Sequence, residues 1–122
     1  MTETSQHDNA AELLVRCLEN EGVEYVFGLP GEEILDILDA LSRSTQIRLV
    51  VTRHEQGAAF MADVYGRVST YPGVCLATLG PGATNLLTPL ADATRDSRPL
   101  VALTGNTATT AEREAFQALD IV

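Results

Sequence analysis

The stretch Val74-Cys75-Leu76-Ala77-Thr78-Leu79, followed at once by Gly80-Pro81-Gly82, decides how this chain is read. It is almost continuously apolar. A strand covered on both faces looks like this, and such strands belong to parallel sheets sandwiched between helices. The glycines and proline then turn the chain sharply. Downstream, 83–94 reads as a helix, with Pro89 expected to kink it or delay its start. Pro99 introduces a further strand over 100–104, ended by Gly105-Asn106.

Upstream, the small-residue run from Glu55 predicts a helix over 55–68, preceded by a strand over 47–52. Before that come a helix with Glu32 and Glu33 in its first turn, where acid suits the positive dipole end, and a strand over 23–27. Ile34, Leu35, Ile37, Leu38 and Leu41 carry that helix's apolar face. Ala11, Leu14, Val15 and Leu18 recur at the spacing of an amphipathic helix, capped by Asp8 or Asn9 and stopped by Gly22. Residues 1–7 read as a flexible leader, and 111–119 as a helix. Strand and helix alternate throughout, which predicts one α/β layered domain with a mainly parallel sheet and right-handed crossovers. The chain stops at Asp120-Ile121-Val122, in what reads as the start of another element, so the domain is expected to be truncated at its C-terminus.

At 122 residues the chain is one domain in size. Seventeen acidic residues against eight basic ones give a net charge of −9. That argues against nucleic acid or an anionic membrane as partner, because both need a basic face. Cys17 and Cys75 are too few for a metal cluster or a disulfide framework, and read as buried free thiols of a reducing compartment. No apolar run approaches the roughly 18 residues that span a bilayer. The polar start is not a signal peptide, and the expected location is the cytoplasm.

Ligands of open α/β sheets bind beyond the carboxyl ends of the strands. Here those exits hold Gly28 to Gly31, His54-Glu55, Gly80 to Asn85, and Gly105-Asn106. The Gly80 turn lacks the lysine and glycine spacing of a nucleotide loop. Its glycines either serve a turn that needs positive φ or let a flat ligand approach the main chain. His54 reads as a helix cap. Glu55 is either a solvated first-turn charge or an acid placed to move a proton. Glu32, Glu33, Asp36 and Asp39 read as a solvated acidic face, and Phe60, Met61 and Tyr65 as core. No metal ligands stand at usable spacing.

Taken in order, Phe27-Gly28-Leu29-Pro30-Gly31, Arg53-His54-Glu55-Gln56-Gly57-Ala58-Ala59, Gly80-Pro81-Gly82-Ala83-Thr84-Asn85, Leu103-Thr104-Gly105 and Ala115-Phe116-Gln117 strongly resemble the N-terminal pyrimidine-binding domain of thiamine-diphosphate enzymes. The acetolactate synthase large-subunit family is the nearest match. The resemblance implies a three-layer, doubly wound sheet with helices on both faces, filling residues 8–122.

It also implies roles. Glu55 would hydrogen-bond N1′ of the cofactor's aminopyrimidine ring and act as the catalytic proton relay that activates C2 for attack on a 2-keto acid. Pro30, Gly31, Thr78, Pro81 and Asn85 would line the cofactor, and Phe116 and Gln117 the substrate end. Many acetolactate synthases have Pro-Gly-Gly where this chain has Pro30-Gly31-Glu32, a departure that touches the choice of keto acid. In the family, Mg²⁺ and the diphosphate are held by a Gly-Asp-Gly…Asn motif on a separate domain, and FAD by a central one. Neither domain is in this sequence, so the chain alone is expected to be inactive. A homo-oligomer, or a partner chain carrying the diphosphate domain, would complete the site. A split 2-keto-acid decarboxylase and a non-catalytic interaction module are the alternative readings.

Overall fold

A computed structural model describes residues 9–108. The expected leader and the expected helix over 111–119 lie outside the described residues. Helix α1, Ala10–Asn20, begins with a capping box: the Asn9 side chain accepts from the Glu12 amide, and the Glu12 carboxylate accepts from the Asn9 amide. Gly22 ends it at φ 77°, a left-handed conformation that suits glycine. Strand β1 is Tyr25–Gly28 and β2 is Arg48–Val51. Between them, the single expected helix divides into a 3₁₀ turn, Glu32–Ile34, and helix α2, Leu35–Arg43.

Helix α3, Glu55–Val68, is capped by His54, whose Nδ1 accepts from the Gln56 amide at 3.1 Å. Strand β3 is Gly73–Ala77 and β4 is Leu100–Thr104. The expected helix over 83–94 is two helices, α4 (Pro81–Thr84) and α5 (Leu87–Arg95). Pro89 explains the break. It has no N–H to give the Asn85 carbonyl four residues back, so the bond that would carry one helix across Asn85 is missing; in the first turn of α5 a missing donor costs little.

The strands form one parallel sheet in the order β2-β1-β3-β4. Successive residues face opposite layers. Val26, Val74 and Leu76 pack with Val15, Ile34, Ala40 and Leu41 under α1 and α2. Phe27, Cys75 and Ala77 pack with Ala58, Ala59, Ala62 and Leu86 under α3 and its neighbours. The expected three-layer α/β architecture is therefore the observed one. Burying a side chain such as Leu76, 1% exposed, contributes roughly 2 kcal/mol before entropy is counted. From β1 the chain steps outward to β2, then crosses back to β3. The direction reverses between β1 and β3, and their carboxyl ends form a crevice.

Two expectations about burial are corrected. Phe60 and Met61 are not core: they are 39% and 43% exposed. Alanines and Gly66 fill the inner face of α3 because the helix lies too close to the sheet for anything larger, and the large residues turn outward. Cys17 is exposed, and only Cys75 is a buried thiol. Burial pushes the Cys75 pKa up to about 12. No helix among the described residues is long and apolar enough to cross a membrane.

The closeness of α3 can be measured by mutation. A Cβ on Gly73 would lie 1.8 Å from the Ala62 carbonyl oxygen, whereas one on Gly57 would meet nothing within 4 Å. Gly73→Ala is expected to cost about 3 kcal/mol through overpacking. Gly57→Ala is expected to be neutral or to stabilise by up to about 1 kcal/mol. Urea denaturation midpoints check the pair. In the folded chain a thiol reagent should label Cys17 and spare Cys75. Between the ordinary thiol pKa of 9.0 and about 12 the unfolded chain loses the Cys75 proton and the folded one keeps it, so this residue's contribution to stability falls as pH rises through that window.

Candidate active site

The site lies at the crevice between β1 and β3, where three chain segments meet. The first is the start of α3. Helix geometry and the His54 cap place Glu55 at the first helical position, yet it is only 8% exposed. Its Oε2 accepts from Asn85 Nδ2 at 3.0 Å. Asn85 sits where the Pro89 break stops α4, so the break that disrupts the helix also delivers the amide to Glu55. The other oxygen, Oε1, has no donor among the described residues.

The second segment is the turn after β3. Gly80 adopts φ 60° and ψ −127°, a conformation that strains any other residue. It swings Pro81 and Gly82 back over the strand end. A Cβ on Gly82 would lie 2.8 Å from Thr78 Cγ2 and 3.5 Å from Glu55 Oε1. The third is the loop after β1. A Cβ on Gly31 would lie 2.5 Å from Thr78 Cβ and 2.8 Å from its Oγ1. Two stretches of bare backbone therefore press on one threonine, and one of them also faces the buried carboxylate.

The structure brings Glu55, Asn85, Thr78 and Gly31 into one group. Pro30 and Pro81 flank it and are exposed. Phe116 and Gln117 lie outside the described residues. Two members were not singled out in the sequence. Gly82 was legible as part of a Gly-Pro-Gly turn, but its contact with Glu55 was not. Glu33, assigned to a solvated acidic face, accepts a hydrogen bond from the Thr78 hydroxyl at 2.9 Å. Nothing in the sequence signals that contact.

A separate groove of about 500 Å³ runs along the outer face of α3, lined by Phe27, Phe60, Met61, Val64, Tyr65 and Val68. Apart from the Tyr65 hydroxyl, which reaches Glu24 at 3.4 Å, these side chains are apolar. The chemistry belongs at the strand exits, where a carboxylate, an amide, a hydroxyl and exposed main chain converge. Among the described residues, no group of three His, Cys, Asp or Glu side chains is arranged to hold a metal ion.

The comparisons with known proteins give this chain a family. Residues 8–122 match the family described as thiamine pyrophosphate enzyme, N-terminal TPP binding domain. The chain belongs to that family. It is 48% identical over 120 residues to the acetolactate synthase isozyme 1 large subunit of Escherichia coli (strain K12), a match covering 98% of this chain and 21% of that protein. It is 55% identical over 100 residues to a chloroplastic acetolactate synthase of Arabidopsis thaliana, covering 82% of this chain and 15% of that one. It is 48% identical over 117 residues to an acetolactate synthase of Mycobacterium bovis, covering 95% and 19%. The chain thus spans a fifth or so of the length of the curated relatives it matches.

The chemistry of these residues is compatible with the pyrimidine end of thiamine pyrophosphate: a ring nitrogen needs a carboxyl oxygen to pair with, and Glu55 Oε1 has no donor among the described residues. The bare backbone of Gly31 and Gly82 makes room for Thr78 beside it. The Asn85–Glu55 bond is testable without the cofactor. Asn85→Ala is expected to cost about 2 kcal/mol, because it strips a buried carboxylate of its donor. In a Glu55→Gln background the same change should cost less, and the difference measured by a double-mutant denaturation cycle gives the coupling.

Proposed function

We propose that this chain binds the aminopyrimidine ring of thiamine diphosphate as part of an acetolactate-synthase-like enzyme. Such an enzyme would decarboxylate one 2-keto acid and transfer the two-carbon unit to a second. The cofactor, when bound, supplies that carbon chemistry. The observation that carries the reading is Glu55: buried, held on one oxygen by a neutral amide, and without a donor on the other among the described residues.

The chain's own residues divide the work. Glu55 holds and passes a proton at the ring nitrogen N1′. Asn85 fixes the direction in which that carboxyl points without adding a charge. Gly31 and Gly82 would line the ring together with Thr78, which packs against both of them, and with Pro30 and Pro81 at the rim. Phe116 and Gln117 are proposed for the substrate end. Mg²⁺, the diphosphate and any FAD would be held by other domains, in a second copy or a partner chain. The names of the relatives support the acetolactate synthase class over a decarboxylase.

In the holoenzyme containing this chain, Glu55→Gln is expected to slow hydrogen–deuterium exchange at C2 of the bound cofactor by about 10²–10⁴-fold, the usual scale for a lost general acid–base group. An exchange rate equal to wild type removes Glu55 from the proton relay.

A further inference from the structure

We propose that Glu33 is a positioning residue of this site: its carboxylate holds the Thr78 hydroxyl and so fixes which side of Thr78 stands against Gly82, beside Glu55. The proposal rests on the pyrimidine-binding reading given above.

Thr78 leaves β3 in the middle of the site. Its branched Cβ carries a hydroxyl and a methyl, and rotation about χ1 would exchange their places. The two groups are sorted. The hydroxyl donates to Glu33 Oε2 at 2.9 Å. The methyl is the Thr78 atom nearest to a Cβ on Gly82, at 2.8 Å, and that same point lies 3.5 Å from Glu55 Oε1. Thr78 therefore turns its apolar side toward Gly82, on the side of the catalytic carboxylate. Without an acceptor at Glu33, nothing polar would hold the hydroxyl there, and it could swing toward the ring and Glu55.

Glu33 is itself braced. A Cβ on Gly105, at the exit of β4, would lie 3.2 Å from Glu33 Cβ and 3.2 Å from Ile34 Cγ2. The Gly105 amide donates to the Ala77 carbonyl, the residue before Thr78, at 3.2 Å. The 3₁₀ turn that carries Glu33 is thus seated on the β4 exit and reaches the β3 exit. The Glu33 side chain joins this turn to the β3 exit, and the turn itself lies against the β4 exit. Its neighbour Glu32, the residue that departs from Pro-Gly-Gly, makes no such side-chain contact among the described residues. The acid acts through a hydrogen bond to Thr78, not as an added charge in the pocket.

The test is a double-mutant cycle on the holoenzyme, read as the thiamine diphosphate concentration for half-maximal activity. Glu33→Ala is expected to raise it on the order of tenfold, the scale of one hydrogen bond to a charged acceptor. Thr78→Val should raise it by a similar factor, and the double variant by no more than the larger single effect, because both changes delete the same bond. Glu33→Gln keeps an acceptor oxygen and should remain within about twofold of wild type. Melting temperatures of the Glu33 variants should stay at the wild-type value, since the residue is exposed. Losses that multiply in the double variant overturn the proposal, as does a Glu33→Gln variant as impaired as Glu33→Ala. Wild-type protein that binds no thiamine diphosphate overturns the pyrimidine-binding reading itself. Wild type that binds it, beside a Glu33→Ala variant of equal affinity, overturns only the role of Glu33.

Discussion

Helix α3 lies so close to β3 that no side chain fits between Ala62 and Gly73, where a Cβ would come within 1.8 Å of a carbonyl oxygen. Much else depends on this contact. It explains the inner face of Ala58, Ala59, Ala62 and Gly66, and the displacement of Phe60, Met61 and Val64 to the outside. It also fixes the height of the helix start above the sheet. Glu55, at that start, is lowered into the crevice between β1 and β3 instead of standing in water. A helix with larger inner residues would ride higher and leave the same acid solvated.

The two buried carboxylates of α3 are held by opposite means. Asp63, 2% exposed, pairs with Arg67 one turn later, and Arg67 also reaches Asp92 and Asp96 near the end of α5. These acids hold the guanidinium pKa above its ordinary value, the Asp63 hydrogen bond most of all. That network clamps α5 to α3 with a fixed charge. One Asp63 oxygen stays without a partner among the described residues, so even this clamp is incompletely satisfied. Glu55 has no cation beside it among the described residues. Its partner is the neutral amide of Asn85, which orients the group and leaves one oxygen for something else. In a chain of net charge −9, placing an amide there instead of one of only eight basic residues separates the site from the scaffold.

Much of this was legible in the residues. The apolar run before Gly80 gave a doubly covered strand, and the small residues after Glu55 gave a helix whose observed bounds, Glu55–Val68, are those expected. Pro89 was legible as a disruption, but not as a division into two helices with Asn85 at the joint. Phe60 and Met61 were misplaced because helical spacing says which residues share a face, not how far that face stands from its neighbour. Glu33 was invisible as part of the site. A glutamate in a first turn satisfies a local rule on its own, and its bond to Thr78 spans 45 residues of sequence.

The sequence by itself determined the alternation of strand and helix, the central strand buried on both sides, and the family. These follow from local apolar pattern and from ordered motifs, which survive without coordinates. Only the tertiary structure decided that β1 and β3 are neighbours, that Asn85 reaches Glu55, and that Gly31 and Gly82 press on one threonine. Those contacts join residues far apart in the chain, and their distances depend on how closely α3 sits on the sheet. That closeness is a packing outcome of many small side chains acting together.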